Sequence, residues 1–544
     1  MTATSRPPDP AADPPDDAPP GRLAYKWKVL IASVFGVFMV VLDTTVVNVA
    51  FQTMRGEFGA TIADAQWIIS LYVLVLGIAT PLAGYAADRY GIKRSYISGL
   101  ALFAAGSLLC GLAPSLRVLV VARALQGFGG GIALPLGSAM LFRTFPAHEQ
   151  GKALGLFGIV VVFAPALGPV LGGALVDLGL WRWIFFINVP IGIAGIRLAA
   201  SFLREHRSPR DHRMDWPGLI TEMIGFGAVL YAASLAGIDG WAAPRTILWF
   251  GIGAAGLAAF VFVELRVAKE PLLDLRLFGR RTFLISVLVG YVTIVALFGA
   301  EFLMPLYLQM MRGVAAFDAG LILLPMAVTA GIATPVAGRV YDRIGPRPLL
   351  VLGFALLAFN TWQFALLDAG TPIPWIVLLL AIRGIALGLT VQTTFVSALS
   401  IVSGPALPRA TSLVNATRNV VQSIGVALLA TVLASTLSPR TRQIQLEIRQ
   451  TIDANGPVPG ICTHPSIATP ASPSPSPADD PDRAGAAGRQ DDAGALRVAC
   501  GEGIAGFGRA YRLTLYASLL ALLLGALLPG WPGPWGGRTS NHQT

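Results

Sequence analysis

The sequence predicts an all-α polytopic membrane protein, and three observations lead to that prediction. Of the 544 residues, 54% are hydrophobic and only 13% are charged, whereas about 25% are charged in an average soluble protein. The mean hydropathy is +0.65. Charge-poor segments of about 20 residues, each long enough to cross a hydrocarbon core of about 30 Å, recur along most of the chain. Lipid is therefore the solvent that this composition requires.

We count fourteen such segments, with boundaries good to a few residues. They are residues 28–51, 64–86, 95–113, 117–141, 152–176, 183–203, 217–237, 244–265, 283–308, 318–338, 348–367, 375–397, 411–436 and 511–529.

The segments divide the chain into regions. Residues 1–24 are rich in Pro, Asp and Ala and are expected to be a disordered cytoplasmic terminus. The others are an N-terminal six-helix half (25–203), an inserted helix pair with basic cytoplasmic loops (204–282), five helices of a C-terminal half (283–436), a polar extracytoplasmic loop (437–510), a final helix (511–529) and a cytoplasmic tail (530–544).

Positive charge is concentrated on one side of the predicted membrane. The loops GIKR (91–94), REHRSPRDHR (204–213) and RVYDRIGPR (339–347) all fall on that side. Basic loops mark the cytoplasmic face, so both termini are expected to be cytoplasmic. The net charge of +10 has the same explanation. No basic face interleaved with aromatic residues is visible, and a nucleic-acid partner is not expected.

The chain has three cysteines. Cys462 and Cys500 lie in the polar loop, and Cys110 lies in the third segment. An external pair in an oxidising compartment could form a disulfide. Two cysteines in one loop do not by themselves decide whether they pair.

An internal repeat relates the two ends of the chain. GYAADRYGIKR (84–94) joins segments 2 and 3, and GRVYDRIGPRP (338–348) joins segments 10 and 11, 254 residues later. RALQGFGG (123–130) is echoed by RGIALGL (383–389), 260 residues later. Similar offsets predict two homologous six-helix halves, with segments 7 and 8 inserted between them. Two such halves around a central site are a plan of secondary transporters.

These motifs resemble those of the major facilitator superfamily. The loop between segments 2 and 3 has the family pattern G-x-x-x-D-R-x-G-x-[RK]-[RK], and fourteen segments with LDTTVVNVA (42–50) and WRWIFFINVPIG (181–192) are similar to its drug:proton antiporter branch. The resemblance covers residues 28–436 well. It implies the major facilitator fold in a bacterial inner membrane, and a loop that clamps the cytoplasmic side through Gly84, Asp88, Arg89, Gly91, Lys93 and Arg94.

The fifth segment contains VFAPALGPVLGGAL (162–175), which is unusually rich in helix breakers. The family's antiporter signature is a Gly-Pro followed by paired glycines, and the matching residues are Pro165, Gly168, Pro169, Gly172 and Gly173. Small residues allow close helix approach. We expect a bent, tightly packed seam where the two halves meet, and ordinary helix packing is the alternative.

Four charged residues lie at comparable depths in the two halves. Asp43 in segment 1 and Arg123 in segment 4 are expected at the same height, and Glu301 and Arg383 occupy the corresponding segments 9 and 12. Charged groups inside a membrane are costly and usually functional. We expect them to handle protons or substrate, and a role for Arg123 in proton coupling is also implied by the resemblance. A purely structural ion pair is the alternative.

Two further polar residues are weaker candidates for the same task. Glu222 lies near the cytoplasmic edge of segment 7 and could extend its carboxylate to the interface. Asn48 follows Asp43 by about one turn and either binds substrate or packs.

The predicted function is proton-coupled export of a lipophilic compound, with cations as the first class to test. A narrow metabolite exporter or a symporter is the alternative, and a polytopic sensor or scaffold is a rival without transport. ATP-driven transport is not expected, since G-x-x-x-x-G-K-[ST] is absent from the sequence. An enzyme is not expected either, since the sequence has neither a Cys/His metal-ligand spacing nor a nucleophile elbow. Protons are the only coupling ion expected, with no cofactor or metal. Membrane lipid is the expected surrounding partner, a monomer the expected state, and an accessory envelope protein remains open.

Overall fold

The structure is a computed structural model in which the described backbone is helical and contains no β-strand. It describes residues 23–60, 62–146, 149–206, 215–238, 240–268, 272–402, 406–435, 438, 441, 460–463 and 483–530. Within these ranges, the side chains of residues 52, 62–63, 162, 166, 169, 237–238, 297–302, 316, 430, 434 and 483–493 are outside the description. The predicted disordered terminus (1–22) and the low-complexity centre of the polar loop also lie outside it.

The N-terminal half is built from seven helices. They are α1 (Tyr25–Glu57), α2 (Ile62–Tyr90), α3 (Ile92–Gly111), α4 (Leu116–Thr144), α5 (Gln150–Asp177), α6 (Trp183–Phe186) and α7 (Asn188–Phe202). Helix α4 packs against α2 and α3, while α1 packs against α5 and α7.

Glycines in α4 explain how it can lie so close to two neighbours. A Cβ on Gly127 would meet the carbonyl oxygen of Tyr72 in α2, and a Cβ on Gly129 would overlap the backbone of Phe103 in α3. Neither backbone can retreat without moving a whole helix. Small residues therefore set the helix spacing, as is common where lipid supplies no driving force between apolar helices.

The C-terminal half repeats this packing. Its helices are α10 (Arg281–Leu306, continued by a π turn at Tyr307–Met311), α11 (Ala316–Ile344), α12 (Pro346–Phe364), α13 (Ile373–Leu399), α14 (Leu407–Ser435) and α15 (Arg483–Gly525). Helix α13 packs against α11 and α12, as α4 packs against α2 and α3. Helix α10 packs against α14 and α15, as α1 packs against α5 and α7.

The two halves meet mainly through α5 with α11 and through α2 with α14. Between them in sequence lie α8 (Trp216–Ile238) and α9 (Pro244–Phe262), the latter continued by a π turn at Val263–Val267. Helix α8 packs against α9 and also contacts both α2 and α14. The inserted pair thus covers one of the two seams between the halves.

The connections α2–α3, α7–α8, α9–α10 and α11–α12 all lie at one end of the bundle, which we call the basic end. The end that holds α1–α2, α3–α4 and α8–α9 is the opposite end. Glu205 after α7 contacts the start of α3, and Arg280 before α10 donates to the carbonyl of Ile401 after α13. Asp88 near the end of α2 contacts Arg409 near the start of α14.

One boundary differs from the prediction. Segment 6 forms one candidate span, Trp183–Phe202, in which Ile187 between α6 and α7 keeps helical backbone angles. The final helix begins at Arg483 rather than at residue 511, so part of the polar loop is helical. Hydropathy could not show this, because the first half of α15 is polar.

Ten helices in the described part of the chain are long and apolar enough to cross a membrane. The structure is thus an all-helical bundle with two similarly packed halves.

Candidate functional site

The centre of the N-terminal half holds a buried ion pair. Arg123 Nη1 lies 2.5 Å from Asp43 Oδ2, and both side chains are at most 1% exposed. The second oxygen, Oδ1, accepts hydrogen bonds from Gln126 Nε2 at 2.8 Å and from Asn188 Nδ2 at 3.0 Å. Three donors from two other helices therefore converge on one carboxylate. We call Asp43, Arg123, Gln126 and Asn188 the carboxylate cluster.

The guanidinium of Arg123 is held from several sides. Its Nε donates to the carbonyl of Ile68 at 3.1 Å, and its Nη1 also donates to Gln126 Oε1 at 2.6 Å. The ring of Tyr72 lies under it, with 3.8 Å between the ring centroid and the guanidinium carbon. A cation over an aromatic face is stabilised by about 2 kcal/mol or more when desolvated. Arg123 is thus anchored to α2 as well as to Asp43.

Local sequence explains why these side chains converge. Arg123 and Gln126 are three residues apart on α4 and so lie on one face of that helix. Gln126 Nε2 also bonds Ser107 on α3 at 2.7 Å. Asn188 is the first residue of α7 and is 1% exposed. Because α7 packs against α1, its amide reaches Asp43.

Such a cluster has a clear energetic character. Removing charges from water is costly, and breaking a buried ion pair on one side costs about 3–5 kcal/mol. The cluster is stable only while charge and hydrogen bonds are balanced. The Asp43 carboxylate is therefore held by one counter-ion and by two amide donors.

Arg383 occupies the corresponding place in the C-terminal half and is fully buried. Its described hydrogen bonds go to Ala296 O at 2.5 Å, Thr361 Oγ1 at 3.1 Å and Asn360 Oδ1 at 3.3 Å. Glu301, its predicted companion, lies in α10, and its side chain is among those outside the description.

Asn48 and Glu222 are placed unlike each other. Asn48 is exposed and does not join the carboxylate cluster. Five residues along a helix correspond to about 500°, which turns Asn48 about 140° away from Asp43. Glu222 does not extend to the interface, which was one of its two possible placements, and is fully buried. Packing of α8 against α9 and the α2–α14 seam accounts for the burial.

At the basic end, two aspartates from the repeated loop motif connect the halves. Asp88 Oδ2 accepts from Arg409 Nε on α14 at 2.8 Å. Asp342, 254 residues later, accepts from the backbone N–H groups of Gly151 and Lys152 at 2.9 and 3.0 Å. The positive end of the α5 dipole favours a carboxylate at that place. Each half thus reaches the first turn of a helix in the other.

The remaining loop-motif residues hold the basic end of the N-terminal half. Gly91 has φ +96° and stands against Glu205, whose carboxylate accepts from the N–H groups of Lys93 and Arg94, both at 3.1 Å. Lys93 Nζ donates to Ala200 O at 2.6 Å. Arg89 lies in the last turn of α2. Glu205 thereby caps α3 and ties it to α7.

Gly84 belongs to the same motif but faces the other half. A Cβ there would lie 3.2 Å from the Cα of Arg409. The absence of a side chain lets α2 and α14 touch.

The glycine-rich segment of α5 is placed differently from the prediction. The helix runs without interruption from Gln150 to Asp177. Gly168 and Gly172 face α1 of their own half, against Thr45 and Val46, and only Gly173 faces Phe317 of α11. Pro165 is partly buried, and the side chain of Pro169 is outside the description.

The seam with α11 is instead formed by other glycines of α5. Gly151, Gly155 and Gly158 meet the backbone or side chains of Gly338, Pro335 and Thr334. The prediction identified the right helix, but most of its motif glycines lie on the face toward α1.

A small cavity lies between α10, α13 and α14. Its lining includes Ser286, Thr293, Thr394, Tyr291, Phe395 and Arg418. Arg418 lies within predicted segment 13 and was overlooked by the sequence reasoning. Hydroxyls, aromatic rings and one guanidinium would suit a partly polar organic ligand.

Cys462 and Cys500 are joined by a disulfide. The N–H groups of Ile461 and Cys462 donate to Met310 O and Met311 O at 2.9 and 3.0 Å. The polar loop is therefore fastened to the end of α10 and to α15 at the opposite end.

The sequence reasoning missed several partners that the structure identifies. Gln126 and Asn188 lie inside quoted motifs, at R-x-x-Q-G and WRWIFFINVPIG, so a signal was present. Arg409 and Glu264 carried none beyond being charged residues near segment ends. Among the described residues, no group of three or more His, Cys, Asp or Glu side chains is arranged to hold a metal ion.

Comparisons with known proteins give a consistent assignment. The chain is 33% identical to the Multidrug resistance protein B homolog of Mycobacterium tuberculosis strain H37Rv over 436 residues, 80% of each chain. It is 29% identical to the Lincomycin resistance protein LmrB of Listeria innocua over 406 residues, 75% of this chain and 85% of that one.

Solved structures show the same architecture at low sequence identity. The proton:xylose symporter XylE superposes with a TM-score of 0.57 at 15% identity, covering 93% of this chain and 96% of that chain. The human organic anion transporter MFSD10 gives a TM-score of 0.55 at 13% identity, with 92% and 99% covered. These likenesses concern the fold alone. Residues 33–426 match the sequence profile of the Major Facilitator Superfamily, and the chain therefore belongs to that family of transporters.

Proposed function

We propose that the protein exports lipophilic compounds in exchange for protons by alternating access between its two halves. In this proposal fourteen helices span the inner membrane of a bacterium, and the basic end with both termini faces the cytoplasm. The buried carboxylate cluster around Asp43 is the observation that carries the proposal. A buried, fully bonded ion pair is an expensive feature for a protein that only needs to fold.

The cluster supplies a mechanism for coupling. Ionised Asp43 is stabilised by Arg123, Gln126 and Asn188. Protonation removes the charge that holds Arg123, so the guanidinium must find another partner as the helices move. Because α1 and α4 both contribute to the cluster, a change in this bond is also a change in helix packing. Proton binding can thereby bias one arrangement of the halves over the other.

The contacts at the basic end describe one of the two arrangements. Asp88 with Arg409 and Asp342 with the start of α5 close that end between the halves. Opening to the cytoplasm must break both contacts. The two contacts are related by the internal repeat, which fits a rocking motion of similar halves around a central site.

Two features support the proposed orientation. Basic loops gather at one end, as the positive-inside rule expects for the cytoplasmic face. The disulfide between Cys462 and Cys500 lies at the other end, and disulfides persist mainly in oxidising compartments outside the cytoplasm.

The substrate class rests on the named relatives. They are called multidrug and lincomycin resistance proteins, so lipophilic drugs are the substrates to test first, with cations among them. A narrow metabolite exporter of the same fold is the alternative. The proposal needs no cofactor or metal, treats the chain as a monomer in lipid, and leaves an accessory envelope protein as an optional partner.

The test uses inverted membrane vesicles with an imposed pH gradient. A panel of lipophilic cations and neutral drugs is added, and dissipation of the gradient is recorded for the wild type and for Asp43→Asn. The control is Asp177→Asn, which removes an exposed carboxylate at the far end of α5. We expect dissipation in the wild type and the control, and its loss in Asp43→Asn.

Other outcomes redirect the proposal in defined ways. A response that is unchanged in Asp43→Asn would remove Asp43 from coupling and leave Glu301 as the carboxylate to test. No response to any compound, with an intact fold, would favour the narrow exporter.

A further inference from the structure

The inserted helix pair carries a carboxylic acid in an unusual environment. Glu222 on α8 is 0% exposed, and neither carboxylate oxygen has a hydrogen-bond donor among the described residues. An ionised carboxylate removed from water without donors or a counter-ion is very costly. Its position six residues after the start of α8 is about 9 Å from the helix end. The burial therefore favours the neutral acid.

A second buried acid lies in the π turn that continues α9. Glu264 is 2% exposed, and its Oε1 accepts from the N–H groups of Leu272 and Leu273 at 3.1 and 3.4 Å. In the part of the chain that the structure describes, Oε2 has no donor. The π turn that carries Glu264 packs against α8, and the two carboxyl groups interact electrostatically. Two carboxylates that share a site cannot both be charged without strong repulsion.

Two other charged groups, Asp215 and Arg409, interact electrostatically with Glu264. Asp215 precedes α8, and its Oδ1 accepts from the N–H of Gly218 at 3.0 Å. Arg409 lies on α14, which packs against α8, and its Nε makes the 2.8 Å contact with Asp88 of α2. The helix that carries Glu222 thus packs against the helix that closes the basic end.

Glycines make this arrangement rigid. A Cβ on Gly225 would meet the backbone of Leu257 at 2.8 Å, and a Cβ on Gly256 would meet Gly225 at 2.7 Å. Helices α8 and α9 are therefore in backbone contact just beyond Glu222, and the two acids cannot easily move apart.

We propose that Glu222 and Glu264 form a second proton-binding site, separate from the carboxylate cluster, that controls the Asp88–Arg409 contact. When the pair holds its proton, Asp88 retains Arg409 and the basic end stays closed. When the proton leaves, the negative charge on the pair competes with Asp88 for Arg409, and the closed contact weakens.

This site gives the inserted helices a function. A proton-coupled exporter brings protons into the cytoplasm, and a site that closes the basic end when protons are abundant there would slow the cycle. One part of the inference rests on the proposed function, namely that the basic end is the cytoplasmic gate of the transporter. The proton-binding site itself does not depend on transport.

The first experiment measures the proton directly on the purified full-length protein. An exposed glutamate has a pKa of about 4.3 and is ionised above about pH 6. We expect the infrared carbonyl band of a neutral carboxylic acid to persist above that pH in the wild type. It should be lost in the double variant Glu222→Gln/Glu264→Gln. It should remain in Glu57→Gln, whose parent side chain is 47% exposed.

The second experiment measures the gate. Ser412 is buried on α14, one turn after Arg409, and Ser412→Cys provides a site for a charged thiol reagent added from the basic end. In Ser412→Cys alone, we expect the labelling rate to increase as the pH rises. The increase should be about tenfold larger than in Ser412→Cys combined with Glu222→Gln/Glu264→Gln. That background corrects for the pH dependence of the thiol itself.

The outcomes separate this inference from the proposed function. If the infrared band is unchanged in the double variant, the proton is not on this pair and the inference is wrong. If the band is lost but labelling keeps its pH dependence, the control of the gate is wrong. A glutamine variant that cannot fold would also contradict the inference, because a neutral acid should tolerate an amide of equal shape. None of these results depends on whether drugs dissipate a pH gradient.

Discussion

The two halves place an arginine at corresponding positions but surround it with different groups. Arg123 contacts the carboxylate of Asp43 and the amide of Gln126. The described hydrogen bonds of Arg383 go to a backbone carbonyl and to the side chains of Asn360 and Thr361. The position equivalent to Gln126, 260 residues later, is Ala386. The repeat has therefore kept the helix packing and changed the chemistry inside it.

This difference separates what the fold requires from what the function requires. Arg383 connects α10, α12 and α13 through its bonds to Ala296, Thr361 and Asn360. In the N-terminal half, the corresponding arginine contacts a carboxylate that accepts from three donors. The proposed proton coupling is therefore tested first in the N-terminal half. The counterpart in the C-terminal half, Glu301, stays a prediction.

The largest effect is expected from separating the ion pair. Arg123→Leu leaves the Asp43 carboxylate buried without its counter-ion and should cost about 3–5 kcal/mol in the free energy of unfolding. Asp43→Asn/Arg123→Leu removes both charges and should recover much of that loss without recovering transport. Thermal unfolding in detergent and drug-driven proton flux in vesicles measure the two quantities.

One result would contradict this prediction. If the double variant is no more stable than Arg123→Leu, the contact of Arg123 with Tyr72 and Ile68, and not the ion pair, dominates the stability of the cluster.

The next prediction makes the N-terminal half resemble the C-terminal half. Gln126→Ala copies Ala386 and deprives Asp43 of one donor. Loss of a hydrogen bond to a buried charged group costs about 1–3 kcal/mol, so the folded protein should be less stable by that amount. The ionised form of Asp43 loses the hydrogen bond from the Gln126 amide. The pH dependence of drug-driven proton flux should therefore differ from that of the wild type. Ala386→Gly, a matched change at the equivalent position, should leave that pH dependence unaltered.

The sequence predicted helix locations and the repeat better than it predicted contacts. Hydropathy predicts helices well because the membrane demands long apolar stretches, and ten of the described helices are long and apolar enough to cross it. Depth along the helices was enough to bring Asp43 to Arg123. The direction in which each residue points around its helix axis was not predicted. Asn48 faces away from Asp43, and Gly168 and Gly172 pack against α1. Glu264 was missed because charged residues near segment ends are usually solvated.

A third prediction compares the same glycine in the two loop motifs. A Cβ on Gly338 would overlap the carbonyl oxygen of Gly151, whereas a Cβ on Gly84 has 3.2 Å to Arg409 Cα. Gly338→Ala should therefore force α5 and α11 apart and weaken the closed basic end. Overpacking of this kind lowers the free energy of unfolding by about 1–3 kcal/mol. Gly84→Ala should cost less. Labelling of Ser412→Cys from the basic end reports the opening, and equal labelling in the two variants would show that the seams are equally tolerant.

The smallest effect on transport is expected from the feature that only the C-terminal half has. Cys500→Ser opens the disulfide with Cys462 and releases the polar loop from α15. The segment at Ile461 keeps its backbone bonds to Met310 and Met311, so the loop should loosen without leaving the end of α10. Proteolysis of the loop should become faster while drug-driven proton flux stays near that of the wild type. A large loss of flux would instead mean that the C-terminal half needs its anchored loop to move as a unit, and the two halves would then differ in how they move as well as in the charge they carry.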